Sequence, residues 1–348
     1  MASSTELPST MRAAQWRSVA GGMEKNLKIT SEAKLPKSAD SLLKDHTLVK
    51  VAYASLNHLD YKVAEMPLGS NLFSKPATPG LDFSGIVVAT TLSNLKPGQH
   101  VLGKTEPLAC GTLAEYVVVE KAGIAALPDG VSLKDGACVG ICGVTALQCL
   151  VPFVKPESKV LINGGSGGVG IFAIQVAKAL GCAQITAVCS APSANLCRSL
   201  GADTVIDYKA EDPVTALKQS GQRFDHILDT VFANPDLYWN CHHYLEPEGK
   251  YVCVGLPPQF KTAKSLIAIH LLPRCLGGGR RKFLFHSVTA NPEHFARVAD
   301  WIKEGKVKLA IEEEFDLEDA GSAYTKLKTG RVRGKLVVRV CGEAIHGN

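Results

Sequence analysis

A run of glycines directly after a short apolar segment constrains the fold of this chain more than any other feature. Residues 163–170 read Asn-Gly-Gly-Ser-Gly-Gly-Val-Gly, follow Val160-Leu161-Ile162, and place glycines at G-x-G-x-x-G spacing. A glycine turn that leaves a strand and enters a helix directs backbone N–H groups and a helix N-terminus at a pyrophosphate. We therefore predict a dinucleotide site here, with a purely structural tight turn as the alternative. The residues predicted to contact the dinucleotide are Gly165, Ser166, Gly167, Gly168, Val169 and Gly170.

Strands and helices alternate around this turn. Strands are predicted at 160–163, 184–189, 204–206, 226–229 and 251–254, and helices at 171–180 and 191–200. Such alternation is typical of a parallel sheet with helices on both faces. We predict an α/β fold in which residues 129–283 form a Rossmann-type, doubly wound dinucleotide-binding domain.

The two ends of the chain are predicted to form a second, β-rich domain. Strands separated by Gly and Pro are predicted at 11–16, 47–53, 83–89, 100–102 and 114–119, and a helix at 291–304 precedes a last strand at 335–340. Residues 1–128 and 284–348 would thus make one catalytic domain, interrupted by the dinucleotide-binding domain.

Composition narrows the class of protein. The 348 residues are 46% hydrophobic and 20% charged, with a net charge of +5, which fits a globular chain rather than a nucleic-acid-binding one. No run of ~18 apolar residues could span a membrane. The opening MASSTELPST lacks the apolar core of a signal peptide, and the eleven cysteines form no CxxC pairs. We expect a cytoplasmic protein, with a chloroplast envelope or another peripheral membrane location as the alternative.

Three further motifs carry a family resemblance: PGLDFSG at 79–85, GVTAL at 143–147 and SLGADTVIDY at 199–208. Over about residues 11–340 the chain resembles the medium-chain dehydrogenase/reductase superfamily, and within it the zinc-free quinone oxidoreductase and enoyl reductase branch. The second half is similar to chloroplast-envelope quinone oxidoreductase-like proteins and fungal trans-acting enoyl reductases. The resemblance implies that the β-rich domain is GroES-like and that the protein is an oxidoreductase.

The resemblance also implies that a catalytic zinc is missing. The positions of the three zinc ligands in zinc-dependent relatives correspond to Asn57, Leu81 and Cys142. One thiolate cannot hold a tetrahedral zinc. We expect Cys138 and Cys142, at positions i and i+4 of a predicted helix, to be packed core residues. A makeshift zinc site from His58 and Cys142 is the alternative.

Without a metal, the chemistry is predicted to favour substrates that spread negative charge. Alcohol–ketone interconversion needs a Lewis acid to stabilise a localised alkoxide. Hydride addition to an enone, a quinone or a polyketide-type enoyl group instead gives a delocalised enolate, which a few hydrogen-bond donors can stabilise. We predict a reductase of activated C=C bonds or quinones, with a zinc-type alcohol dehydrogenase-like oxidoreductase as the alternative.

The second strand of the dinucleotide-binding domain indicates which cofactor is used. NAD-specific folds carry an acid at its end, whereas this strand continues into Ser190, Ser193 and Arg198, which could hold a 2′-phosphate. The resemblance adds Tyr208 to this group. We predict NADPH as the cofactor; the alternative is that the serines cap the helix, Arg198 is solvated and Tyr208 packs.

The resemblance assigns other site residues. Tyr61 and Lys62 are candidate proton donors, with solvent as the alternative source. The predicted cofactor contacts outside the glycine turn and the 2′-phosphate group are Asn57, Asp60, Lys62, Thr145, Gly255, Leu256, Gly334 and Lys335.

Partners are indicated only weakly. The basic loop from Gly277 to Lys282 contains Arg280 and Arg281 and could recognise an acidic head group, a carrier protein or a synthase, or could be a solvated connection. It is also the one cue for a low-turnover NADPH- or RNA-binding protein, although no nucleic acid is expected. A homodimer through the edge of the dinucleotide-binding sheet is the expected oligomer.

Overall fold

The computed structural model describes residues 7–109, 111–232, 234–255, 260–273, 276 and 278–342. The chain forms two compact units. Unit 1 comprises Met1–Val144, Ala290–Gly305 and Leu309–Asn348, and unit 2 comprises Thr145–Thr289 and Lys306–Lys308. The domain boundaries predicted from sequence lie after residues 128 and 283, and these units divide the chain after residues 144 and 289. The predicted site residue Leu256 and the loop residue Gly277 lie outside the described residues.

The elements are numbered along the chain. The strands are β1 Thr10–Gln15, β2 Lys28–Lys34, β3 His46–Ser55, β4 Asp82–Thr90, β5 His100–Lys104, β6 Tyr116–Glu120, β7 Ile124–Ala126, β8 Lys159–Asn163, β9 Gln184–Cys189, β10 Thr204–Asp207, β11 Phe224–Asp229, β12 Leu245–Cys253, β13 Lys282–Phe285, β14 Ile311–Asp316 and β15 Lys335–Arg339. The α-helices are α1 Leu59–Glu65, α2 Leu133–Gly136, α3 Val144–Leu150, α4 Gly168–Ala179, α5 Ala191–Leu200, α6 Pro213–Gln219, α7 Asp236–Trp239, α8 Phe260–Leu271, α9 Pro292–Lys303 and α10 Ala320–Lys328.

Unit 2 is built on a six-stranded parallel sheet in the order β10-β9-β8-β11-β12-β13. This is the strand order of a doubly wound dinucleotide-binding fold, in which the order reverses beside the first strand, here β8. In β8, Val160, Leu161 and Ile162 are each 0% exposed. A continuous apolar run is what a strand covered on both faces requires. The predicted α/β, Rossmann-type fold class is thereby confirmed.

Unit 1 is built on a seven-stranded sheet in the order β14-β15-β3-β4-β5-β7, with β6 also paired to β3, and a separate pair of strands, β1 and β2. The pairs around β3, β4, β5, β6 and β7 are antiparallel, whereas β14 and β15 run parallel. The C-terminal strand β15 pairs with β3 through Val337, Val338 and Arg339. Both ends of the chain therefore contribute to one sheet, as predicted for the β-rich domain.

The predicted strands and helices occur in the structure, with boundaries that differ at several ends; β12, for example, begins at Leu245 rather than at 251. Several elements of the structure were not predicted from the sequence, among them the strands β2, β7, β13 and β14 and the helices α1, α6, α8 and α10. Within the described ranges, no helix combines the length and the apolar character that a membrane crossing needs.

Candidate functional site

The predicted glycine turn lies between β8 and α4 and is held against β9. The N–H groups of Gly164 and Gly165 both donate to the carbonyl of Val188 at 3.0 Å. A Cβ added at Gly170 would stand 2.2 Å from the carbonyl oxygen of Gly164, and one added at Gly165 would stand 2.8 Å from Cβ of Ala187. Both positions therefore need glycine so that the turn can pack.

Gly167 differs from these glycines because there is room beside it. A Cβ there would meet only the carbonyl oxygen of Gly164 within 4 Å among the described atoms, at 3.5 Å. Its φ of −79° and ψ of 174° are open to any residue. The first turn of α4 follows directly, where N–H groups lack intrahelical acceptors and the helix dipole is positive. Residues 166–169 are partly exposed, so this turn fits a pyrophosphate.

The ends of β9 and β10 meet beside the turn. Cys189 and Asp207 are paired, and the N–H of Tyr208 donates to the carbonyl of Cys189 at 3.2 Å. Ser190 and Tyr208 therefore follow neighbouring strand ends. The Asp207 carboxylate accepts the N–H of Lys209 at 3.0 Å. The structure thus brings together two residues that were predicted to hold a 2′-phosphate.

The other two residues of this group, Ser193 and Arg198, lie on α5. Ser190 is the N-cap residue of α5, but its side chain makes no capping hydrogen bond. Ser193 is buried, whereas Arg198 and Tyr208 are exposed. Hydroxyl, guanidinium and phenol groups on adjacent segments are a donor set that suits a phosphate monoester.

Of the other predicted cofactor contacts in unit 2 that the structure describes, Thr145 is buried and Gly255 is half-buried. Thr145 is 4% exposed. A Cβ on Gly255 would stand 2.4 Å from the carbonyl oxygen of Thr230, so the segment after β12 packs closely on the segment after β11. The basic loop is partly used inside unit 2: Arg281 donates to the carbonyl of Leu245 at 3.1 Å, and Arg280 lies 3.0 Å from a ring nitrogen of His242.

Asp229, at the end of β11, is a residue that sequence reasoning missed. It is fully buried and accepts hydrogen bonds from the Asn163 side chain at 2.8 Å, the Tyr251 hydroxyl at 2.5 Å and the N–H groups of Val231 and Phe232 at 2.9 and 2.8 Å. It ties together the carboxyl ends of β8, β11 and β12. An acid that ends an apolar strand was the available signal.

A second group of predicted residues meets in the interior of unit 1. We call Asn57, Asp60, Asp82, Cys142 and Lys335 the Lys335 cluster. Asn57 and Asp60 lie where β3 leads into α1, Asp82 begins β4, Cys142 lies in a π-helical turn before α3, and Lys335 begins β15. All five side chains are buried, so the cluster joins four separate segments of unit 1.

The ammonium of Lys335 lies at the centre of this cluster. Its Nζ is 2.8 Å from Oδ1 of Asn57, 3.1 Å from the carbonyl oxygen of Leu56 and 3.4 Å from Sγ of Cys142. The Asp82 carboxylate is 3.8 Å away. The thiol of Cys142 in turn donates to Oδ1 of Asn57 at 3.4 Å. A buried cation is thus surrounded by oxygen and sulfur atoms.

Asn57 and Asp82 link the ammonium to the π-helical turn. The Asn57 amide donates to the carbonyl of Ser55 at 3.1 Å and to Asp82 at 2.9 Å. The other oxygen of Asp82 accepts the N–H of Ile141 at 2.8 Å. A Cβ on Gly140 would stand 2.3 Å from that oxygen. Glycine at this position lets the turn approach the carboxylate.

Two carboxyl groups of the cluster are shifted towards their protonated forms. Asp60 accepts the N–H of Asn57 at 2.9 Å and the hydroxyl of Tyr324 at 3.0 Å, yet burial and the nearby Asp82 raise its pKa to about 7. Burial raises the pKa of Asp82 to about 6, and the positive charge of Lys335 opposes this rise. The ammonium is therefore the strongest of the groups that stabilise negative charge on Asp82, whereas the N–H of Asn57 and the hydroxyl of Tyr324 do more than the ammonium for Asp60.

Lys335 is placed by the glycine before it. Gly334 has a φ of +84°, and a Cβ there would stand 2.0 Å from the carbonyl oxygen of Ala310. Only glycine fits this turn. Of the predicted cofactor contacts in unit 1, Asn57, Asp60 and Lys335 thus meet in the interior, whereas Lys62 is exposed.

Tyr61 lies on α1, just beyond the cluster, and is held from several sides. Its hydroxyl is 2.7 Å from Nδ1 of His58. The ammonium of Lys328 stands 4.6 Å from the centre of its ring and is itself paired with Glu24 and Glu65. A cation over the ring face adds a further restraint. Tyr61 is therefore fixed in position.

The protonation states of this group follow from burial and charge. Desolvation, with the cations Lys62 and Lys335 nearby, lowers the pKa of His58 to about 4. Desolvation and nearby carboxylates raise the pKa of Tyr61 to about 12. Desolvation also lowers the pKa of Lys62. At neutral pH a neutral imidazole therefore faces a protonated phenol.

The residues at the zinc-ligand positions do not fit zinc. Asn57 and Cys142 bind the Lys335 ammonium, and the third position is Leu81, which is buried and apolar. A divalent ion in that space would have to displace a buried positive charge. Among the described residues, no group of three or more His, Cys, Asp or Glu side chains is placed to hold a metal.

Known proteins resemble this chain over nearly its full length. Sequence models match the alcohol dehydrogenase GroES-like domain at residues 44–129, confirming the predicted GroES-like domain, and the zinc-binding dehydrogenase domain at residues 200–338. The trans-enoyl reductase pgmF of Aspergillus terreus is 42% identical, over 96% of this chain and 97% of that protein. A zinc-type alcohol dehydrogenase-like protein of Schizosaccharomyces pombe is 34% identical, over 84% of this chain and 86% of that protein.

Plant and bacterial proteins show the same relationship. The chloroplast envelope quinone oxidoreductase homolog of Arabidopsis thaliana is 28% identical, over 94% of this chain and 98% of that protein. The solved structure of the quinone oxidoreductase from Coxiella burnetii has a TM-score of 0.79 and 29% identity, and the match covers 95% of this chain and 99% of that one.

Proposed function

Because this chain belongs to the medium-chain dehydrogenase/reductase superfamily, in the quinone oxidoreductase and enoyl reductase branch, we propose that it is a zinc-independent, NADPH-dependent reductase of activated C=C bonds or quinones. Its relatives in this branch are reductases. The single observation that carries the proposal is the Lys335 ammonium between Asn57 and Cys142, since it supports chemistry without a bound metal.

NADPH is proposed as the cofactor because of the donor set around the end of β9. The glycine turn would hold the pyrophosphate at the N-terminus of α4. Ser190, Ser193, Arg198 and Tyr208 would hold the 2′-phosphate. β9 itself has no acid at its end, and the nearby carboxylate of Asp207, at the end of β10, accepts the N–H of Lys209. Thr145, Gly255 and Leu256 are proposed to contact the nicotinamide half.

When bound, NADPH supplies a hydride to the electron-poor carbon of the substrate. The chain's own residues then have to stabilise an enolate and provide a proton. Tyr61 is the proposed donor, because its hydroxyl keeps its proton across the physiological range and is held by His58 at 2.7 Å. Lys62, exposed and with a lowered pKa, is the second candidate, and solvent is the third.

The substrate is proposed to be an unsaturated carbonyl, a quinone or a polyketide-type enoyl group. The name of the Aspergillus relative supports the enoyl class, and the Arabidopsis name supports the quinone class. A carrier protein or synthase partner would follow from the enoyl class. A cytoplasmic location, a homodimer and the domain boundaries at 128 and 283 remain proposals of the same kind.

Turnover with a defined panel tests this function. NADPH oxidation is followed with an enone, a quinone and an enoyl thioester, each against a blank without acceptor, and then with NADH. We expect an acceptor-dependent rate with NADPH and a KM for NADH at least about tenfold higher, since a lost phosphate contact costs about 1.4 kcal/mol or more. An equal preference for NADH would contradict the cofactor assignment.

A zinc-type alcohol dehydrogenase is the second candidate, because one relative of 34% identity carries that description. The two are separated by metal analysis of purified protein together with activity after chelation. We expect no stoichiometric zinc and unchanged turnover. Zinc in a one-to-one ratio that turnover requires would establish the second candidate instead. A low-turnover NADPH- or RNA-binding role is less supported, because Arg280 and Arg281 bind within unit 2.

A further inference from the structure

We propose that the Lys335 ammonium is a built-in cation that takes the place of a metal ion in unit 1, and that Lys335 is a positioning residue for the reaction. The inference rests on the proposed function for its catalytic consequence. Lys335 was predicted from the sequence to contact the cofactor, whereas its contacts in the fold indicate a different role. They hold the segment that carries Asn57 and Tyr61.

All three N–H donors of the Lys335 ammonium have an acceptor inside the protein. An ammonium has three N–H donors, and three acceptors surround this one: Asn57 Oδ1 at 2.8 Å, the Leu56 carbonyl at 3.1 Å and Cys142 Sγ at 3.4 Å. The side chain is 2% exposed. A lysine placed in this way has no donor left for a ligand. Two of its partners, Asn57 and Cys142, stand at positions that correspond to zinc ligands in zinc-dependent relatives.

The side-chain amide of Asn57 likewise has a hydrogen-bond partner for each of its donors and acceptors. Its oxygen accepts from Lys335 and from the Cys142 thiol, and its nitrogen donates to the Ser55 carbonyl and to Asp82. These are the two acceptor and two donor sites that an asparagine side chain has. Asn57 therefore bridges a buried cation and a buried carboxylate, and its orientation is fixed only while both charges are present.

The ammonium also unites separate parts of unit 1. Its partners lie at the end of β3, at the start of β4 and in the π-helical turn, while Lys335 itself begins β15. A metal ion would join segments in the same way. Because α1 starts two residues after Asn57, its proposed proton donor Tyr61 is anchored through this link.

A second buried lysine, Lys104, offers a comparison. It pairs with Asp82 in the register of β4 and β5, and its charge also lowers the pKa of Asp82, but among the described residues its ammonium makes no hydrogen bond to the cluster. Lys104 is also 2% exposed and belongs to unit 1, but its ammonium binds the Thr105 carbonyl at 3.3 Å and Glu106 at 2.9 Å. These partners lie next to it in the chain and are not members of the Lys335 cluster. If burial alone mattered, the two lysines would respond alike to substitution.

Chemical rescue distinguishes these cases. Lys335→Ala removes the three methylenes and the ammonium that n-propylammonium can replace. Millimolar n-propylammonium should restore a large part of a turnover that falls by about tenfold or more, whereas n-propanol, of similar size without charge, should restore none. Lys335→Met fills the space of the lysine side chain without its charge, so its turnover should stay low in the presence of either compound. Lys104→Ala, compared at equal folded fraction, should keep its turnover and respond to neither compound.

The outcomes are decisive in either direction. Turnover of Lys335→Ala within twofold of the wild type, or equal rescue by the amine and the alcohol, would overturn the inference. If Lys335→Ala does not fold alone, the yield of folded protein with n-propylammonium against n-propanol replaces turnover as the readout. If the wild type reduces no acceptor, the proposed function fails by itself. The shift of the thermal midpoint of Lys335→Ala with the amine then still tests the inference.

Discussion

At the level of single residues, Asp60 is the side chain whose state depends most on its surroundings. One of its carboxylate oxygens accepts two hydrogen bonds, while the other, Oδ1, is buried and has no hydrogen-bond partner among the described residues. Burial and the neighbouring Asp82 raise its pKa, and Lys335 opposes the rise. An unpaired buried oxygen is costly when it carries charge and far less so when it carries a proton.

This imbalance predicts a pH-dependent stability that Asp60→Asn should remove. Because the pKa of Asp60 is about 7 in the fold against an ordinary 3.8, the folded state binds the proton more tightly than the unfolded chain. Its contribution is therefore present at acid pH and is lost as pH rises towards 7, by at most about 4 kcal/mol. Urea unfolding at about pH 5.5 and about pH 8 should show that Asp60→Asn gains stability over the wild type at the higher pH.

The quantity to compare is the difference in free energy of unfolding between the wild type and Asp60→Asn at each pH. The pKa of Asp82 is raised to about 6, so Asp82 makes stability fall with rising pH in both proteins. Because Asp82 and Asp60 repel each other, this fall is smaller in Asp60→Asn, which changes the difference in the same direction as the loss of Asp60 itself. Asn keeps a carbonyl for the N–H of Asn57 and the hydroxyl of Tyr324. A variant that is equally destabilised at both pH values would show that Asp60 is charged in the fold throughout.

Tyr61 provides a second test at the residue level. Tyr61→Phe keeps the ring that packs edge-on to Tyr324, at 6.4 Å between ring centres, and that lies under Lys328, but it removes the hydroxyl bound to His58. We expect turnover to fall by about tenfold to a hundredfold, as for the loss of a general acid, with NADPH affinity unchanged. Tyr116→Phe in the same unit is the control. A rate within twofold of the wild type would assign the proton to Lys62 or solvent.

At the level of elements, the glycine turn between β8 and α4 separates the needs of the fold from those of the ligand. Gly170→Ala would place a Cβ 2.2 Å from a backbone oxygen, whereas Gly167→Ala would place one 3.5 Å from its nearest neighbour. The backbone of Gly167 also suits alanine. We therefore expect the lack of a side chain at residue 167 to matter for a bound pyrophosphate and not for folding.

The expected results differ in kind for these two alanines. Gly167→Ala should keep the thermal midpoint of the wild type but raise the NADPH dissociation constant by about tenfold or more, because a methyl group would intrude on the phosphate site. Gly170→Ala should lower the midpoint. Fluorescence titration and calorimetry measure both quantities. Unchanged NADPH binding by Gly167→Ala would remove the turn from the site.

The elements that sequence reasoning found and missed follow a physical rule. Strands β8 and β9 are largely apolar because both of their faces are covered, and such runs are visible in sequence. β14, Ile-Glu-Glu-Glu-Phe-Asp, is partly exposed and lies at the edge of the unit 1 sheet, so its acidic residues hide the strand. β13 has only four residues and lies at the edge of its sheet.

The candidate site was predictable where it is local and unpredictable where it is not. Gly165 and Gly170 act within one turn, and local spacing identified them. Lys335 and Asn57 were each singled out, but a separation of 278 residues divides them, and no local pattern encodes their 2.8 Å contact. The charge that fills the metal's place was therefore visible only in the folded chain.

At the level of the whole molecule, the two units have different origins in the chain. Unit 2 is nearly continuous, whereas unit 1 is assembled from three segments, and its sheet is completed by β15 pairing with β3. Loop closure between distant segments costs entropy, which buried pairings such as Lys335 with Asp82 help to offset. Among the described residues, β10 and β13 are the edge strands of the sheet in unit 2.

The open edge at β13 predicts how two copies would associate. Its sequence Lys-Phe-Leu-Phe is more apolar than Thr-Val-Ile-Asp of β10, and Phe285 is 52% exposed. An exposed apolar edge strand favours pairing with another strand. We therefore expect a homodimer through β13. We expect Phe285→Asp to yield a monomer in sedimentation velocity, because the substitution would bring two like charges together at the paired edges.

Leu68→Asp is the control for this test. It lies at a position of unit 1 that is 81% exposed and should leave the dimer intact. A dimer that persists in Phe285→Asp would place the interface elsewhere, and a monomeric wild type would exclude it.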